Sequence, residues 1–394
     1  MLTFNTAGES HGKGLVGIIE GMPAGINISL HEINRELERR QQGYGRGGRM
    51  QIEKDKVEII SGVRNGVTLG SPISYIIWNQ DHENWQDIMG AGQCKEVHSK
   101  MVTRPRPGHA DLAGAIKFHH QDMRNVLERA SARETAARVA AGGFFKQLLT
   151  ECGIYIYSQV LSIGEKVINP QPVTLENREA FQQQVEASPV RCYDIKAGQA
   201  MMEHIDQARG RGESLGGSFE VGALGVPPGL GSHTGWERRL DARLAALLMG
   251  IPAIKAVEIG DGFRNAFIPG SQVHDEIFYE DNALARRTNR AGGLEGGISN
   301  GEIIYACAYM KPIPTLYKPL NSVNTANWTR EAATIERSDI CAVPAAAVVA
   351  EAMVAYGIAQ AFTEKFGHDH IGEIKEAFNS YKDYMKKVWK WEKI

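Results

Sequence analysis

Pairs of similar segments recur in the same order about 200 residues apart, and this repetition constrains the fold more than any single motif does. VEIISGVRN (Val57–Asn65) and VEIGDGFRN (Val257–Asn265) agree at six of nine positions. VGIIEGMPAG from Val16 resembles VGALGVPPG from Val221, and each precedes a predicted helix that contains Glu-Arg-Arg. The triplets RAS and RSD, 208 residues apart, each precede a long alanine-rich helix. We therefore predict a duplicated unit whose two halves share one core and place a site at their seam, with pseudo-twofold symmetry.

The spacing of apolar residues predicts short strands interleaved with helices along the chain. Apolar runs predict strands at LVGIIEG, VEIISG, ISYIIWN, IYIYSQVLSIG, SFEVGALG and GEIIYACAYM. Helical periodicity predicts helices at SLHEINRELERRQQ, SARETAARVAAGGFFKQLLTECG, GWERRLDARLAALLMG and AAAVVAEAMVAYGIAQAFTEKFG. In the first of these helices, Ser29 followed by Glu32 has the spacing of a capping box, so the helix should begin there.

Composition argues against several classes of protein. The 394 residues are 43% apolar, and the formal net charge of −2 provides no general basic field for nucleic acid. The five cysteines are scattered without a CxxC pair, which argues against structural zinc and for a reducing compartment. Because neither a leader pattern nor an apolar run of about 20 residues is apparent, we expect no membrane span and a cytoplasmic location.

The stretch GESHGKGLVGIIEGMPAG, from Gly8 to Gly25, contains three glycines spaced as GxGxxG. A dinucleotide-binding loop of that pattern follows a strand and opens a helix, whereas here the predicted strand comes after the glycines. We therefore expect the glycines to expose Ser10 and His11 rather than to bind a nucleotide. A lone histidine in a loop is more often structural, so the interest of His11 depends on its neighbours.

Arginine, serine and histidine are concentrated in four further stretches. They are RRQQGYGRGGRM with Arg39, Arg40, Arg46 and Arg49, RPRPGHADLAG with Arg104, Arg106, His109 and Asp111, ERASARETAARV with Arg129, Ser131 and Arg133, and RSDICAVPAAA with Arg337, Ser338 and Asp339. Each stretch alone fits a capped helix or a rigid turn with solvated arginines. Together they predict a pocket for a small, multiply anionic substrate, because arginine binds carboxylates and phosphates in a fixed geometry. Arg104 and Arg106 alternate and could point to one side of an extended segment.

These motifs resemble those of one family. GESHGKGLVGIIEGMP, ERASARETAARVAAGG and RSDICAVPAAAVVAE are similar to the three signature segments of chorismate synthases, and RPGHAD, VEIGDGF, GGISNG and KPIPT also match. The resemblance covers essentially the whole chain. It implies an α+β fold, a single large domain (1–394) with helices sandwiched between mainly antiparallel sheets. The repeat halves would be about 1–200 and 201–370, followed by a helical tail at 371–394.

The resemblance also implies an activity. The family converts 5-enolpyruvylshikimate 3-phosphate to chorismate by a 1,4-anti-elimination of phosphate, the last common step toward aromatic amino acids. It requires reduced FMN although no net redox change occurs, and its members form homotetramers. Fungal members reduce their own flavin, but no obvious extra domain for a nicotinamide such as NADP is present here. We therefore expect dependence on an external flavin reductase system.

The resemblance assigns roles to particular residues. His11 would donate a proton to the departing phosphate, His109 would sit beside the flavin, and Asp339 would act as a base near flavin N5. The substrate would be bound by Ser10, Arg40, Arg46, Arg104, Ser131, Arg133 and Arg337. The flavin would be contacted by Arg129, Ala130, Ser131, Pro252, Ala253, Gly296, Lys311, Pro312, Ile313, Pro314, Thr315 and Arg337. Glycine-rich loops at 43–48 and 210–217 would close over the site as lids.

Two other functions remain open from the sequence. One is a flavin oxidoreductase, which would oxidise its flavin at each turnover. The other is a binder of polyanions such as RNA, which would need a basic stripe with stacking aromatics. We expect no metal, since the His119–His120 and His368–His370 pairs have no further ligand at an established spacing and fit surface histidines.

Overall fold

The computed structural model describes residues 1–47, 54–336 and 338–392. Its strands, β1 to β17 in chain order, span Thr3–Ala7, Gly14–Glu20, Val57–Ile59, Val63–Arg64, Val67–Thr68, Ile73–Trp78, Tyr155–Ile163, Lys166–Val167, Gly217–Leu224, Ile254–Ile259, Ile277–Glu280, Ala283–Arg286, Leu294–Glu295, Ile298–Ser299, Ile304–Met310, Asn321–Asn324 and Thr329–Ala332. Its α-helices, α1 to α11 in chain order, span Leu30–Gln41, Gln86–Met89, Asp111–Phe118, Arg124–Ala130, Thr135–Thr150, Arg178–Glu186, Ile195–Gly210, Leu240–Met249, Gly270–Val273, Val343–Phe366 and Ile371–Trp389. Short 3-10 helices cover Gln80–Trp85, Ala132–Glu134, Trp236–Arg238 and Gly262–Phe267.

The two larger sheets have the same strand order. The first is β1-β2-β6-β3, and the second is β7-β9-β15-β10, with β8 paired on the outer side of β7. Neighbouring strands in both sheets are antiparallel. In each sheet one helix, α1 or α8, carries the chain from the second strand to the edge strand β3 or β10. The α+β class with antiparallel sheets is confirmed, and this shared order supports the predicted duplication, which stays a prediction.

Two long helices connect the sheets. Helix α5 packs on β1, β2 and β6, helix α10 packs on β7 and β9, and the two helices pack on each other. Where they meet, a Cβ added to Gly142 would lie 2.3 Å from Cβ of Ala352, so this close approach requires glycine. These contacts support the predicted sandwich of helices between sheets.

The predicted strands and long helices are present, with ends that differ by a few residues. The Ser29 hydroxyl accepts a hydrogen bond from the backbone N–H of Glu32, which confirms the predicted start of α1. Gly12 lies just before β2, whereas Gly14 and Gly17 lie within it, and the strand β1, which was not predicted, precedes all three glycines. The element that follows β1 is a strand and not a helix, so the arrangement still differs from a dinucleotide-binding loop. The tail forms α11, and its first turn is capped by His370.

Helix α10 corrects one expectation. Its 24 residues are long and apolar enough to cross a membrane by length and composition, whereas no such segment was expected. Glu351 interrupts the apolar run in the sequence, which is why the segment was missed. The most apolar stretch of 18 residues in this helix is 89% buried inside the fold. There α10 lies against α5, α8 and the second sheet.

Candidate active site

A cavity of about 1080 Å³ receives side chains from both halves of the chain. It is bordered by the loop before β2, the end of α1, the turn between α4 and α5, the loop around residue 109, and the segments after β15 and before α10. The predicted site residues that line it are Ser10, His11, Arg40, Arg46, His109, Ala130, Ser131, Arg133, Pro252, Ala253, Lys311, Ile313, Pro314, Thr315 and Asp339. Residues from segments more than 300 positions apart therefore meet at one place.

Other predicted site residues do not line this cavity, namely Arg104, Arg129, Gly296 and Pro312. The Arg104 side chain is 43% exposed and forms an ion pair with Glu331, with an N–O distance of 3.5 Å. Arg129 donates to the carbonyl oxygens of Thr6 and Gly8 on the exposed surface. Gly296 lies in the turn between β13 and β14 with φ of +59°. Arg337 lies outside the described residues, so its predicted role stays a prediction.

His11 is held on its edge and on its face. Its ring Nδ1 lies 2.8 Å from Oε1 of Glu128, and its backbone N–H donates to Oε2 of the same carboxylate at 2.8 Å. The ring stacks on Trp85, with centroids 4.0 Å apart and planes inclined by 24°. Nearby, the Ser10 hydroxyl donates to the Ser131 hydroxyl at 3.1 Å. This part of the cavity therefore presents an oriented imidazole beside two hydroxyl groups.

His109 is also held by a carboxylate. Its Nδ1 lies 2.6 Å from Oδ1 of Asp111, which is completely buried at the start of α3. The Arg106 guanidinium donates to both oxygens of Asp111, at 2.8 and 3.0 Å, and to the Thr315 hydroxyl at 3.0 Å. Although burial raises the pKa of Asp111, hydrogen bonds from His109 and Arg106 outweigh it, and the pKa lies well below its usual range. Asp111 is therefore ionised and acts as an anchor.

Buried arginines form one wall of the cavity. Arg133 donates to Asp55 at 2.7 Å, and Arg40 donates to the Thr135 hydroxyl at 2.9 Å. The Nη1 atom of Arg40 is buried and lies 3.6 Å from Oδ2 of Asp55, within ion-pair range, but it makes no hydrogen bond to any described residue. Burial lowers the pKa of Arg40 to about 10, and the positive charges of Arg133 and Arg46 act in the same direction. A bound anion would relieve both the unmet donor and the repulsion.

Asp339 closes this wall from the other half of the chain. Its carboxylate pairs with Arg46 at 2.8 Å and accepts a hydrogen bond from the Gly47 backbone N–H at 2.6 Å. The Gly45 carbonyl accepts from the backbone N–H of Ile340 at 2.8 Å. The described part of the predicted lid at 43–48 is therefore joined to the residues before α10, while Gly48 lies outside the described residues.

The cavity lining also contains many apolar side chains. They are Ile251, Pro252, Met310, Ile313, Pro314, Ile335, Ala342, Ala345, Ala346 and Val349. Ala253 has φ of +68°, a left-handed conformation that is rare for alanine, and its carbonyl accepts from the Lys311 backbone N–H at 3.0 Å. The Lys311 ammonium group donates to the Gly108 carbonyl. A lining that combines arginines with apolar side chains suits a ligand that combines anionic groups with a flat ring.

Sequence reasoning missed several residues of the cavity wall, namely Trp85, Lys100, Arg124 and, behind the wall, Glu128, and it named Arg106 only as part of its stretch, without a role. The expectation that Arg104 and Arg106 share one side is wrong, because Arg106 is buried and Arg104 is exposed. The rigid RPRP segment did signal an important arginine, but its burial depends on Asp111. Glu128 stands within the second signature segment, yet nothing local in the sequence links it to His11.

Among the described residues, no group of three His, Cys, Asp or Glu side chains is arranged to hold a metal ion. His119 ends α3 in a left-handed conformation, and His370 caps α11. One histidine of each pair therefore has a local structural role at a helix end.

Comparisons with known proteins identify the family of this chain. The chorismate synthase family profile matches residues 2–363. A chorismate synthase from Syntrophomonas wolfei is 63% identical over 100% of both chains, and one from Desulforamulus reducens is 54% identical over 98% of this chain and 100% of its own. A crystal structure of chorismate synthase superposes with a TM-score of 0.79 at 44% identity, covering 98% of this chain and 99% of the other. The chain therefore belongs to the chorismate synthase family, as its signature segments predicted.

Proposed function

We propose that this chain converts 5-enolpyruvylshikimate 3-phosphate to chorismate by 1,4-elimination of phosphate, with reduced FMN and no net redox change. The observation that carries the proposal is the pairing of a buried arginine wall with two carboxylate-held imidazoles in one cavity. The substrate has two carboxylates and a phosphate, and Arg40, Arg46 and Arg133 match those anions. The family assignment makes this the activity to test first.

The cavity fits FMN in addition to the substrate. Its volume, its apolar side chains and the unmet Nη1 donor of Arg40 suit a flat ring and anionic groups bound together. Flavin contacts are proposed for Ala130, Ser131, Pro252, Ala253, Lys311, Ile313, Pro314 and Thr315, and also for Arg129, Gly296, Pro312 and Arg337. Reduced flavin bound there would supply electron density for the elimination and an acceptor for the hydrogen that leaves C6.

The chain's own residues bind the substrate and move protons. Arg40, Arg46 and Arg133 orient the anions, with the hydroxyls of Ser10 and Ser131 as further donors. As the C3–O bond breaks, His11 transfers a proton from Nε2 to a phosphate oxygen, and the N–H electron pair stays on the ring. His109 would lie beside a bound flavin, and Asp339 would be the base near it, with Arg46 and Gly47 holding the Asp339 carboxylate.

The wider setting is also proposed. We infer a single domain made of two repeated halves related by pseudo-twofold symmetry, with the cavity at their seam. The common strand order of the two sheets supports this arrangement. The chain would act in the cytoplasm as a homotetramer and would take flavin reduced by an external, NADP-linked reductase system, since the described residues include no separate nicotinamide-binding unit.

The test is anaerobic incubation of the protein with reduced FMN and 5-enolpyruvylshikimate 3-phosphate. The expected result is stoichiometric phosphate and chorismate, with the flavin still reduced at the end. Oxidation of one flavin per product would instead indicate an oxidoreductase and overturn the proposal. His11→Ala and His109→Ala should each lose rate while keeping the thermal unfolding midpoint of the wild type.

A further inference from the structure

The Glu128 carboxylate contacts both the ring and the backbone of His11. Glu128 accepts from both the ring Nδ1 and the backbone N–H of His11, each at 2.8 Å. It is only 1% exposed and lies outside the cavity lining, whereas His11 belongs to the lining. The Nδ1 edge of the ring therefore faces the carboxylate, and Nε2 is the nitrogen that remains for a ligand.

Neighbouring groups keep both partners in place. Arg124 donates to Oε1 of Glu128 at 3.1 Å, and the Ser10 backbone N–H donates to the Glu128 carbonyl at 3.0 Å. Trp85 covers one face of the His11 ring, and the Arg124 guanidinium lies 5.1 Å from the Trp85 ring centroid. The imidazole cannot turn without breaking either the stacking contact or the bond to Glu128.

Glu128 is ionised at neutral pH. Burial raises its pKa, but hydrogen bonds from the ring and backbone of His11 and the charge of Arg124 outweigh burial, so the pKa is lowered. An ionised carboxylate can only accept hydrogen bonds, so Nδ1 carries the hydrogen. Nδ1 of His82 lies 3.0 Å from the backbone carbonyl oxygen of His11. Asp81, Lys100 and Glu336 are other charged groups in the cavity lining.

We propose that Glu128 is a positioning residue that keeps the hydrogen on Nδ1 of His11, so that the proton delivered to the substrate is always the one on Nε2. The bond to Glu128 suits both states of the ring. The imidazolium forms an ion pair with the carboxylate, and the neutral ring left after donation still donates its Nδ1–H to it. This inference deepens the proposed function and rests on it for the identity of the proton acceptor.

Glu128→Gln tests the assignment. The amide nitrogen of glutamine must face one of three donors that now face oxygen, and the imidazolium loses its negative partner. We expect kcat to fall at least about 100-fold, because loss of the orienting carboxylate lowers kcat about 10⁴-fold for the catalytic imidazole of a serine protease. The alkaline limb of the pH profile of kcat/KM should also move about one pH unit lower, because an opposite charge has been removed. A merely structural role for Glu128 would not move that limb.

Glu134→Gln is the matched control. Glu134 is a buried carboxylate six residues further along, but it pairs with Arg138 at 2.9 Å and does not line the cavity. Its variant should keep the wild-type pH profile. Glu128→Asp retains the charge on a shorter arm, so it should lower kcat at least tenfold while leaving the alkaline limb in place. It also tests the proposal if Glu128→Gln does not fold.

Binding of inorganic phosphate allows the pH dependence of wild type and Glu128→Gln to be compared without catalysis. Calorimetric titrations across the same pH range should show phosphate affinity falling about one pH unit earlier in Glu128→Gln than in the wild type. Failure of the wild type to make chorismate would overturn the proposed function alone. Superimposable pH profiles for wild type and Glu128→Gln, or wild-type turnover in Glu128→Asp, would overturn the positioning role.

Discussion

At the scale of single residues, each cavity histidine is oriented by a buried carboxylate that is itself held by an arginine. Asp111 accepts two hydrogen bonds from the Arg106 side chain, whereas Glu128 accepts one from Arg124. Arg106 therefore belongs to the support of His109 as well as to the cationic wall. Its neighbour Arg104, which the family resemblance favoured, pairs with Glu331 outside the cavity lining.

Replacing each arginine by lysine in turn distinguishes the role of Arg106 from that of Arg104. Lysine cannot reproduce the forked contact with Asp111, so Arg106→Lys should lower kcat/KM about 100-fold by releasing His109. Arg104→Lys keeps an exposed charge and should stay within threefold of the wild type. Phosphate release under anaerobic conditions measures both. An equal loss in Arg104→Lys would mean that Arg104 reaches the substrate in the assembled enzyme.

Gly47 offers a second test at this scale. A Cβ added there would lie 2.7 Å from the backbone oxygen of Ser338, closer than ordinary contacts allow. Gly47→Ala should therefore displace the hydrogen bond to Asp339 and lower kcat at least tenfold, with a smaller effect on flavin affinity. Gly92→Ala is the control, because nothing lies within 4 Å of its added Cβ. Unchanged turnover in Gly47→Ala would rule out this coupling.

Sequence reasoning identified most of the charged groups in the cavity because they stand in distinctive arginine and glycine motifs. The family resemblance selected Arg104 rather than Arg106 for the substrate, because both belong to the same motif and only the burial of Arg106 against Asp111 distinguishes them. Sequence reasoning also missed Glu128, because a carboxylate recognises its imidazole through a contact that spans 117 positions. Contacts of that kind depend on the tertiary fold rather than on local pattern.

At the scale of elements, α1 links the cavity to the core through two consecutive arginines. Arg40 lines the cavity, whereas Arg39 turns inward and forms ion pairs with Glu36, Glu186 and Glu351. Successive side chains on a helix point about 100° apart, so one helix end can serve both regions. The position of α1 therefore sets the position of the Arg40 guanidinium.

Ser29→Ala tests how far the cap of α1 contributes. Losing the hydrogen bond from the Glu32 N–H should lower the free energy of unfolding by about 1 kcal/mol, measured by urea denaturation. Asp194→Ala removes the equivalent cap of α7, which accepts from the Ala197 N–H. Both variants should lose similar stability, and each should retain activity, since neither cap lies in the cavity. No loss in Ser29→Ala would show that packing alone fixes the helix start.

Element positions were well predicted because apolar period and capping residues are local signals. LVGIIEG and SFEVGALG, which contain one pair of similar segments, form β2 and β9, the second strands of the two sheets. The pairing order and the contact between α5 and α10 were not predictable in the same way, because they depend on residues far apart in sequence. The membrane-length character of α10 was missed since a single glutamate broke its apolar run.

At the scale of the whole molecule, a buried network of charges joins the two halves. It contains three cations and three carboxylates, namely Arg39, Lys146, Arg191, Glu36, Glu186 and Glu351. Glu351 on α10 is only 1% exposed and also accepts from the Ser158 hydroxyl at 2.6 Å. Removing one member leaves a buried charge without its partner, which is costly inside a protein.

Glu351→Gln should lower the free energy of unfolding by about 3 kcal/mol at pH 7. Burial raises the pKa of Glu351, but the charges of Arg39, Lys146 and Arg191 outweigh it and hold that pKa well below 4.5. The wild-type stabilisation is therefore complete above about pH 4.5 and declines as pH falls toward the folded pKa. Denaturation at several pH values measures the free energy of unfolding of wild type and variant. The difference between these two free energies should become smaller below pH 4.5. A constant difference would contradict this account.

The contact of α5 with α10 has a consequence for how the chain acquires its shape. Each helix covers one face of one sheet and also packs against the other helix. Either half alone would therefore expose apolar surface to water until it associates with the other half. The two halves should therefore fold and unfold together, in a single cooperative transition. Two fragments produced separately, divided at the turn near Gly153, are expected to fold only when they are mixed.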